Sequence, residues 1–564
     1  MGLNEGIENQ EHDQYESLLD QGDDYEDGLA SQISISNKVG GAGGWRSAWF
    51  IVVAEILETM AYYGIASNLI TYLTGPLHQS TATAAFNINI WSGVVWMLPL
   101  FTAFVSDSYL GRYHTILFSS LIYLLGFGLL TVSVVLPAPV NPTDIETNVF
   151  CVSNSFQVIL FFTSLYLIAI GKAGFKPCAQ AFGADQFDEH ISKSSFFNWW
   201  LFGICVGSTL SRLIFIYIQE NLSWGLGFGF PTISMVVAFI VFLLGTGTYT
   251  FRVKVDKQNP LLRIARVYVV AAKNWRTSSS SIVPQEEDPF AVSSDGNRVR
   301  THQFRFLDKV LLHDIAIDQL EDAKGVLRLV PIWLTLLMYG VVGSQPPTFF
   351  TKQGHTMERS VGLSSIQIPP ASLLIFVSLS VVLFIPVYDW FCVPLARSLT
   401  GKPSGITMLQ RMGFGLFLSM TAMLVAGVVE KARLQTAVDF GLVDSPKETV
   451  PMSIWWLAPQ YILVGLSEVF AFVGTQEFFY DQVPDDMKCM GSSLSLCILG
   501  VGELLSGLLI FVIEKVTRVC GQSNWFSDNL NRAHLDNFYW LLAGLSALNL
   551  VAYIYFSKSY VYKN

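Results

Sequence analysis

Long stretches without a charged residue recur along the chain. Thr59–Ser106, Tyr113–Thr143, Leu222–Phe251, Leu329–Thr351 and Ser360–Tyr388 contain no Asp, Glu, Lys or Arg. Each meets or exceeds the roughly 20 residues that cross the hydrocarbon core of a bilayer. The runs are continuous rather than alternating, and only helices or closed barrels satisfy the backbone in lipid, so helices are predicted. Twelve spans follow, at about 45–73, 83–106, 114–136, 152–175, 195–218, 227–250, 327–350, 369–390, 411–430, 453–476, 489–514 and 537–557. Breaks fall at Gly75-Pro76, at Pro137 to Pro142 and at Lys257 to Lys324. The last is the longest polar interval and separates six spans from six. The predicted division is a tail over 1–44, a six-helix unit over 45–251, a linker over 252–326, a second six-helix unit over 327–557, and a tail over 558–564.

Composition agrees with a polytopic all-α membrane protein. Hydrophobic residues make up 51% of the 564 positions and charged residues only 14%, against about 25% charged in soluble proteins. The net charge of −10 is concentrated: residues 1–44 hold ten acids and one lysine, so the remainder is close to neutral. That tail has neither a basic start nor a long apolar core, and reads as disordered rather than as a signal peptide. Lys and Arg set orientation. The interval 252–324 carries twelve of them, and the loops 74–82 and 137–151 carry none. Arg112, Lys193, Arg397, Lys402, Lys488 and Lys558 fall on the side of the long interval. Both termini are therefore expected in the cytosol, although Lys352, Arg359, Lys431 and Arg433 blunt the signal in the second half. The stretch from Thr277 to Ser281 and the acids after it read as a flexible cytosolic linker.

Charge inside a span is costly and marks function by default. Glu55, Glu58 and Tyr62 follow i, i+3, i+7 spacing on one face of the first helix. Two carboxylates on one apolar face do not readily both ionise, which makes them a candidate proton site. Lys176 ends the fourth predicted span, where it either enters the interior or snorkels to the surface. The tenth span contains Glu468 and ends at Glu477. A lysine in one half and a glutamate in the other are candidates for an ion pair between halves. Glu503 lies near the middle of the eleventh span and takes no role. Asn198, in an aromatic cluster from Phe196 to Trp200, is a buried amide in need of a partner. Asp107 to Arg112 after the second span and Asp389 to Arg397 after the eighth form a weak internal echo. Cys178, Cys205 and Cys497 read as packing residues, and Cys151 and Cys520 flank outer loops where they are free to pair. No metal spacing, nucleophile elbow or phosphate loop is present, which argues against an enzyme and predicts no metal and no cofactor.

At these residues the chain resembles the plant nitrate/peptide transporter family, the plant branch of the proton-dependent oligopeptide transporters within the major facilitator superfamily. The resemblance runs from about Trp45 to Ser557. It is carried by Glu55-x-x-Glu58 with Tyr62-Tyr63-Gly64, by Asp107 to Arg112, by Gly174-Phe175-Lys176-Pro177-Cys178 with Gly183 to Asp188, by Phe196 to Trp200, and by Gln476 to Tyr480. It implies two six-helix bundles related by a pseudo-two-fold axis, a site at the midplane and alternating access. It also implies roles: Glu55 and Glu58 in proton coupling, Tyr62, Tyr63, Lys176, Asn198 and Glu477 in the pocket, and Asp107 and Arg112 in a cytosolic gate turn. Lys176 and Glu477 match the family's pair across the halves.

Two positions depart from the family pattern. The first-helix motif ends in Arg or Lys in the family and in Thr59 here, so the cation expected beside the two acids is missing from that helix. The place of a nitrate-binding histidine in the seventh helix of one member is taken by Gly343. The function expected is a secondary active transporter of nitrate, a di- or tripeptide or another small anion, coupled to protons as a symporter. The alternatives are an uncoupled uniporter or a solute-sensing receptor. Partners are the solute, protons and the lipid bilayer, with no nucleic acid. Asp13 to Leu19 resembles an acidic dileucine signal, which sets the vacuolar membrane against the plasma membrane.

Overall fold

The computed structural model describes residues 38–41, 43–135, 155–187, 190–252, 260–273, 304, 307, 317–360, 367–388, 391, 394–395, 398, 406–483, 488–519 and 525–562. Among them are twelve helices long and apolar enough to cross a membrane: α1 (Gly44–Thr74), α2 (Thr81–Val105), α3 (Arg112–Val135), α4 (Phe156–Ala184), α5 (Trp199–Asn221), α6 (Trp224–Thr248), α7 (Gln319–His355), α8 (Pro370–Val387), α9 (Met408–Asp439), α10 (Ile454–Gln482), α11 (Met490–Thr517) and α12 (Leu535–Lys558). The count and order match the apolar runs. An even number of spans places both chain ends on one side, called here the terminus side. The acidic tail before Lys38, the stretch from Thr277 to Ser281, Asp389, Arg397, Cys151 and Cys520 lie outside the described residues.

Spans α1 to α6 pack mainly on one another, with α1 against α5 and α6, and α3 along α4. Spans α7 to α12 do the same, with α9 against α10 and α12, and α7 against α11. Two seams join the halves, α2 against α11 and α5 against α8. Glycine permits the closest approaches. A Cβ at Gly500 of α11 would lie 2.8 Å from the carbonyl oxygen of Gly93 in α2. A Cβ at Gly502 would lie 2.5 Å from the Cα of Gly340 in α7. Small residues substitute here for the hydrophobic force that lipid removes between helices. Large apolar side chains such as Phe118, Leu125, Ile233 and Leu508 remain exposed on the perimeter, where lipid rather than water meets them.

Several boundaries differ from the expected ones. Helix α9 runs to Asp439 instead of stopping near 430. Arg433, expected in an outer loop, and Glu430, at the expected end of the span, are fully buried and bind each other at 2.7 Å. Arg433 also donates to Asn531 Oδ1 at 2.8 Å and to the Leu530 carbonyl at 2.8 Å. Arg433 is therefore not a loop cation, and its charge is met inside the protein. The interval after α6 also contains more structure than a linker. Pro260–Lys273 is a helix. Its apolar stripe, Ile264, Val267 and Ala271, packs in one cluster with Leu320 and Ala323 of α7. Tyr268 donates to the Ala323 carbonyl at 2.7 Å. That contact draws the start of the seventh span back to Gln319 from the expected 327.

Candidate functional site

The two acids of α1 are three residues apart, and two lysines of α4, Lys172 and Lys176, are four apart, so each pair occupies one helix face. Helix packing turns these faces toward each other. Lys176 Nζ lies 2.9 Å from Glu55 Oε1, and Lys172 Nζ lies 3.7 Å from Glu58 Oε1. Tyr123 of α3 donates its hydroxyl to Glu58 Oε1 at 2.8 Å. Lys172 also sits 3.0 Å from the centre of the Tyr62 ring, a cation–π contact in a desolvated site. Glu55 and Glu58 are 1% and 0% exposed. The result is a neutral cluster of two acids and two lysines, wholly within the first half. It bears on the absent base at Thr59, because the cations arrive from α4. The sequence signal for Lys172 is its i, i+4 spacing from Lys176, which parallels that of the acids.

Lys176 lies well inside α4, not at its end, and its ammonium is held by Glu55 rather than snorkelling. It does not meet Glu477 in this conformation. Glu477 is on the terminus side of α10, about half exposed, and pairs with Arg411 of α9 at 3.1 Å. Each candidate member of the cross-half pair is thus engaged within its own half. Arg112 pairs with Asp185, which follows the end of α4, so this turn is tied down within the first half. The side chains of Asp107 and Asn198 lie outside the described residues.

The halves are bonded at the far end, away from the termini. Thr71 Oγ1 and His355 Nε2 are 2.9 Å apart, and Lys352 Nζ donates to Thr74 Oγ1 at 3.0 Å. The Thr81 amide donates to Asp528 Oδ1 at 2.8 Å, and Arg359 lies 3.8 Å from Glu220. Every one of these links joins a residue of α1 to α6, or the loop between two of them, to one of the second half. Near mid-membrane, Asn89 of α2 donates to Ser506 of α11 at 3.1 Å.

Below this seal is a cavity of about 200 Å³ between the halves. Tyr62, Tyr63, Arg212 and Trp91 line it from the first half, and Glu468, Glu503 and Gly343 from the second. Tyr62 and Tyr63 lie on the cavity wall. Glu468 begins a π-helical turn, Glu468–Phe472, that interrupts α10. Such turns are common at functional sites. Arg212 and Glu503 extend the site beyond the motif residues. Their signal in the sequence is a lone charge within an apolar span.

Comparison with known proteins places this architecture. The POT family profile matches residues 113–526. Protein NRT1/PTR family 5.10 of Arabidopsis thaliana is 55% identical over 546 residues, covering 95% of this chain and 97% of its own length. Protein NRT1/PTR family 5.12 of the same plant is 50% identical, with 93% and 94% covered. Among solved structures, an auto-inhibited POT family peptide transporter superposes with a TM-score of 0.68 at 21% identity, covering 92% of this chain and 98% of that one. A POT family transporter in complex with 5-aminolevulinic acid gives 0.64 at 15% identity, with 94% and 100% covered. At these identities the solved structures speak for the fold.

Proposed function

Because the chain belongs to the POT family of membrane transporters, we propose that it is a proton-coupled symporter of a small anion or short peptide that works by alternating access. The observation that carries the reading is the partnering of Lys176 and Glu477. Lys176 is bonded to Glu55 at 2.9 Å, and Glu477 to Arg411 at 3.1 Å. Both pairs are on the terminus side, where the two halves are not bonded through these residues, and the far end is sealed. This is the pattern of a state open toward the termini. In the opposite state α4 and α10 close on each other, and Lys176 exchanges Glu55 for Glu477. Glu55, released from its cation in an apolar site, takes up a proton, because an isolated buried carboxylate is costly. Proton uptake and conformational state are then linked through one lysine.

The bias of Lys and Arg toward the terminus side puts the termini in the cytosol, so the state described faces inward. The membrane is that of a plant cell, the vacuolar or the plasma membrane. The peptide transporter and the complex with 5-aminolevulinic acid among the structural neighbours support a short peptide or a small zwitterion, and a single oxyanion such as nitrate is the simpler solute to test beside them.

The test is uptake of nitrate and of dialanine by proteoliposomes, with and without an inward proton gradient. Symport predicts accumulation that a protonophore abolishes, and loss of uptake per folded protein in both Lys176→Ala and Glu477→Ala. Uptake that ignores the gradient indicates a uniporter. Solute binding without uptake indicates a receptor. Wild-type uptake in both variants overturns the exchange of partners.

A further inference from the structure

Four cations among the described residues are buried: Lys172, Arg212, Lys324 and Arg433. Three have a carboxylate partner, Glu58, Glu321 and Glu430 respectively. Arg212, 8% exposed in α5, is the exception. Its Nε reaches the Ser67 hydroxyl at 3.4 Å. Its Nη1 reaches the Leu374 carbonyl at 3.3 Å and the Ser378 hydroxyl. All three acceptors are neutral. The guanidinium rests over the Tyr63 ring at 4.8 Å, and Nη2 has no acceptor among the described residues. Glu468 shares the cavity without reaching ion-pair distance of Arg212. A buried guanidinium with only neutral partners carries an unmet desolvation cost, which a charge-assisted bond to an anion would relieve.

The two lysines of α4 do not fill that role. Lys172 and Lys176 are both committed to the acids of α1, and neither lines the cavity. Arg212 is the cation that does. It is also fixed at its base: the serines and the carbonyl occupy Nε and Nη1, which leaves Nη2 to donate to a carboxylate or oxyanion.

We propose that Arg212 is the binding residue for the anionic group of the transported solute, a carboxylate or an oxyanion of single charge. The assignment rests on the transporter reading for the word "transported", while the anion site itself stands on the geometry of Arg212. The wall contributed by the second half is acidic, with Glu468 and Glu503, and Glu503 Oε2 has no hydrogen-bond partner. A solute with an ammonium group as well as a carboxylate satisfies both walls, whereas a simple oxyanion satisfies only the one formed by Arg212.

The experiment compares wild type, Arg212→Gln and Arg212→Lys as the full-length purified protein. Binding of nitrate and of dialanine is read by thermal stabilisation, and exchange of each by counterflow in proteoliposomes. The expected result is a rise of at least about tenfold in the Kd and KM of whichever solute binds wild type. The maximal exchange rate should fall far less, and Arg212→Lys should recover part of the affinity. Arg212→Lys retains the charge, so it remains informative if Arg212→Gln does not fold. Unchanged Kd and KM with a reduced rate would mean that Arg212 only latches α5 to α8, and would overturn the proposal while leaving transport intact. Arg212-dependent binding without exchange would keep the anion site and overturn the transporter reading. Failure of wild type to bind either solute would overturn the site.

Discussion

Replacing Lys176 by glutamine should strand Glu55. The Oε2 of this carboxylate already lacks a partner, and Oε1 is held by Lys176 at 2.9 Å. At that separation, and with an effective dielectric constant near 20, the Coulomb attraction is roughly 6 kcal/mol. The lysine side chain is 17% exposed, so solvent screens the pair only in part. Breaking a buried pair from one side costs about 3–5 kcal/mol in practice. Glu55→Gln should cost a comparable amount, because Lys176 is then left beside Lys172 with only Glu58 to share. The double variant, Glu55→Gln with Lys176→Gln, removes both charges and keeps the shape of the contact. A neutral amide hydrogen bond contributes about 1 kcal/mol, so the double variant should be more stable than either single one. The coupling energy expected from the cycle is at least about 3 kcal/mol, against the ~0.5 kcal/mol within which independent sites add. The assay is unfolding of the detergent-purified protein, with each ΔΔG taken at the wild-type midpoint. Additive single effects would refute the argument, because they would mean that the two residues do not depend on each other in the resting conformation.

Lys172→Met should lower stability by about 3 kcal/mol and slow uptake, because it strands Glu58 in a site 0% exposed; Thr59→Arg in the same background should recover part of both, and no recovery in a stability and uptake comparison would show that Lys172 does not act as the cation absent from α1. Gly343→His should fold normally, because a Cβ there meets nothing within 4 Å. Its imidazole would enter the cavity, and the check is a nitrate-dependent rise in midpoint temperature that wild type shows more weakly or not at all. Gly502→Val should fail to express or lose more than about 3 kcal/mol, the upper part of the range for overpacking. Its Cβ would lie 2.5 Å from the Gly340 Cα and 2.8 Å from the Leu337 carbonyl oxygen, backbone atoms that cannot move aside. Size-exclusion chromatography of a fluorescent fusion reads this directly.

The spans were legible because the bilayer imposes its demand locally. About 20 consecutive apolar residues must cover 30 Å of hydrocarbon whatever the neighbours do. Twelve runs, the polar interval between six and six, and the acids of α1 were therefore visible without tertiary information. The same local logic located Lys176, Glu468, Glu477 and Glu503 as charges in need of an explanation. It misjudged Arg433 because a composition-based boundary treats charges beyond an apolar run as aqueous, and this arginine is neutralised by Glu430 inside the helix bundle.

Partners were another matter. Lys176 stands 121 positions from Glu55 and 301 from Glu477 in the chain, by subtraction of their numbers. Nothing in spacing along the chain separates the two choices. The choice depends on which faces of α1, α4 and α10 are turned together. Arg212 shows the same division. An arginine within an apolar stretch is visible in the sequence. That it alone among the buried cations of the described residues meets no carboxylate, and that it does so on the wall of the central cavity, follows only from the packing of α5 against α8. Span number is a property of each segment in its solvent, and charge pairing is a property of segments relative to one another.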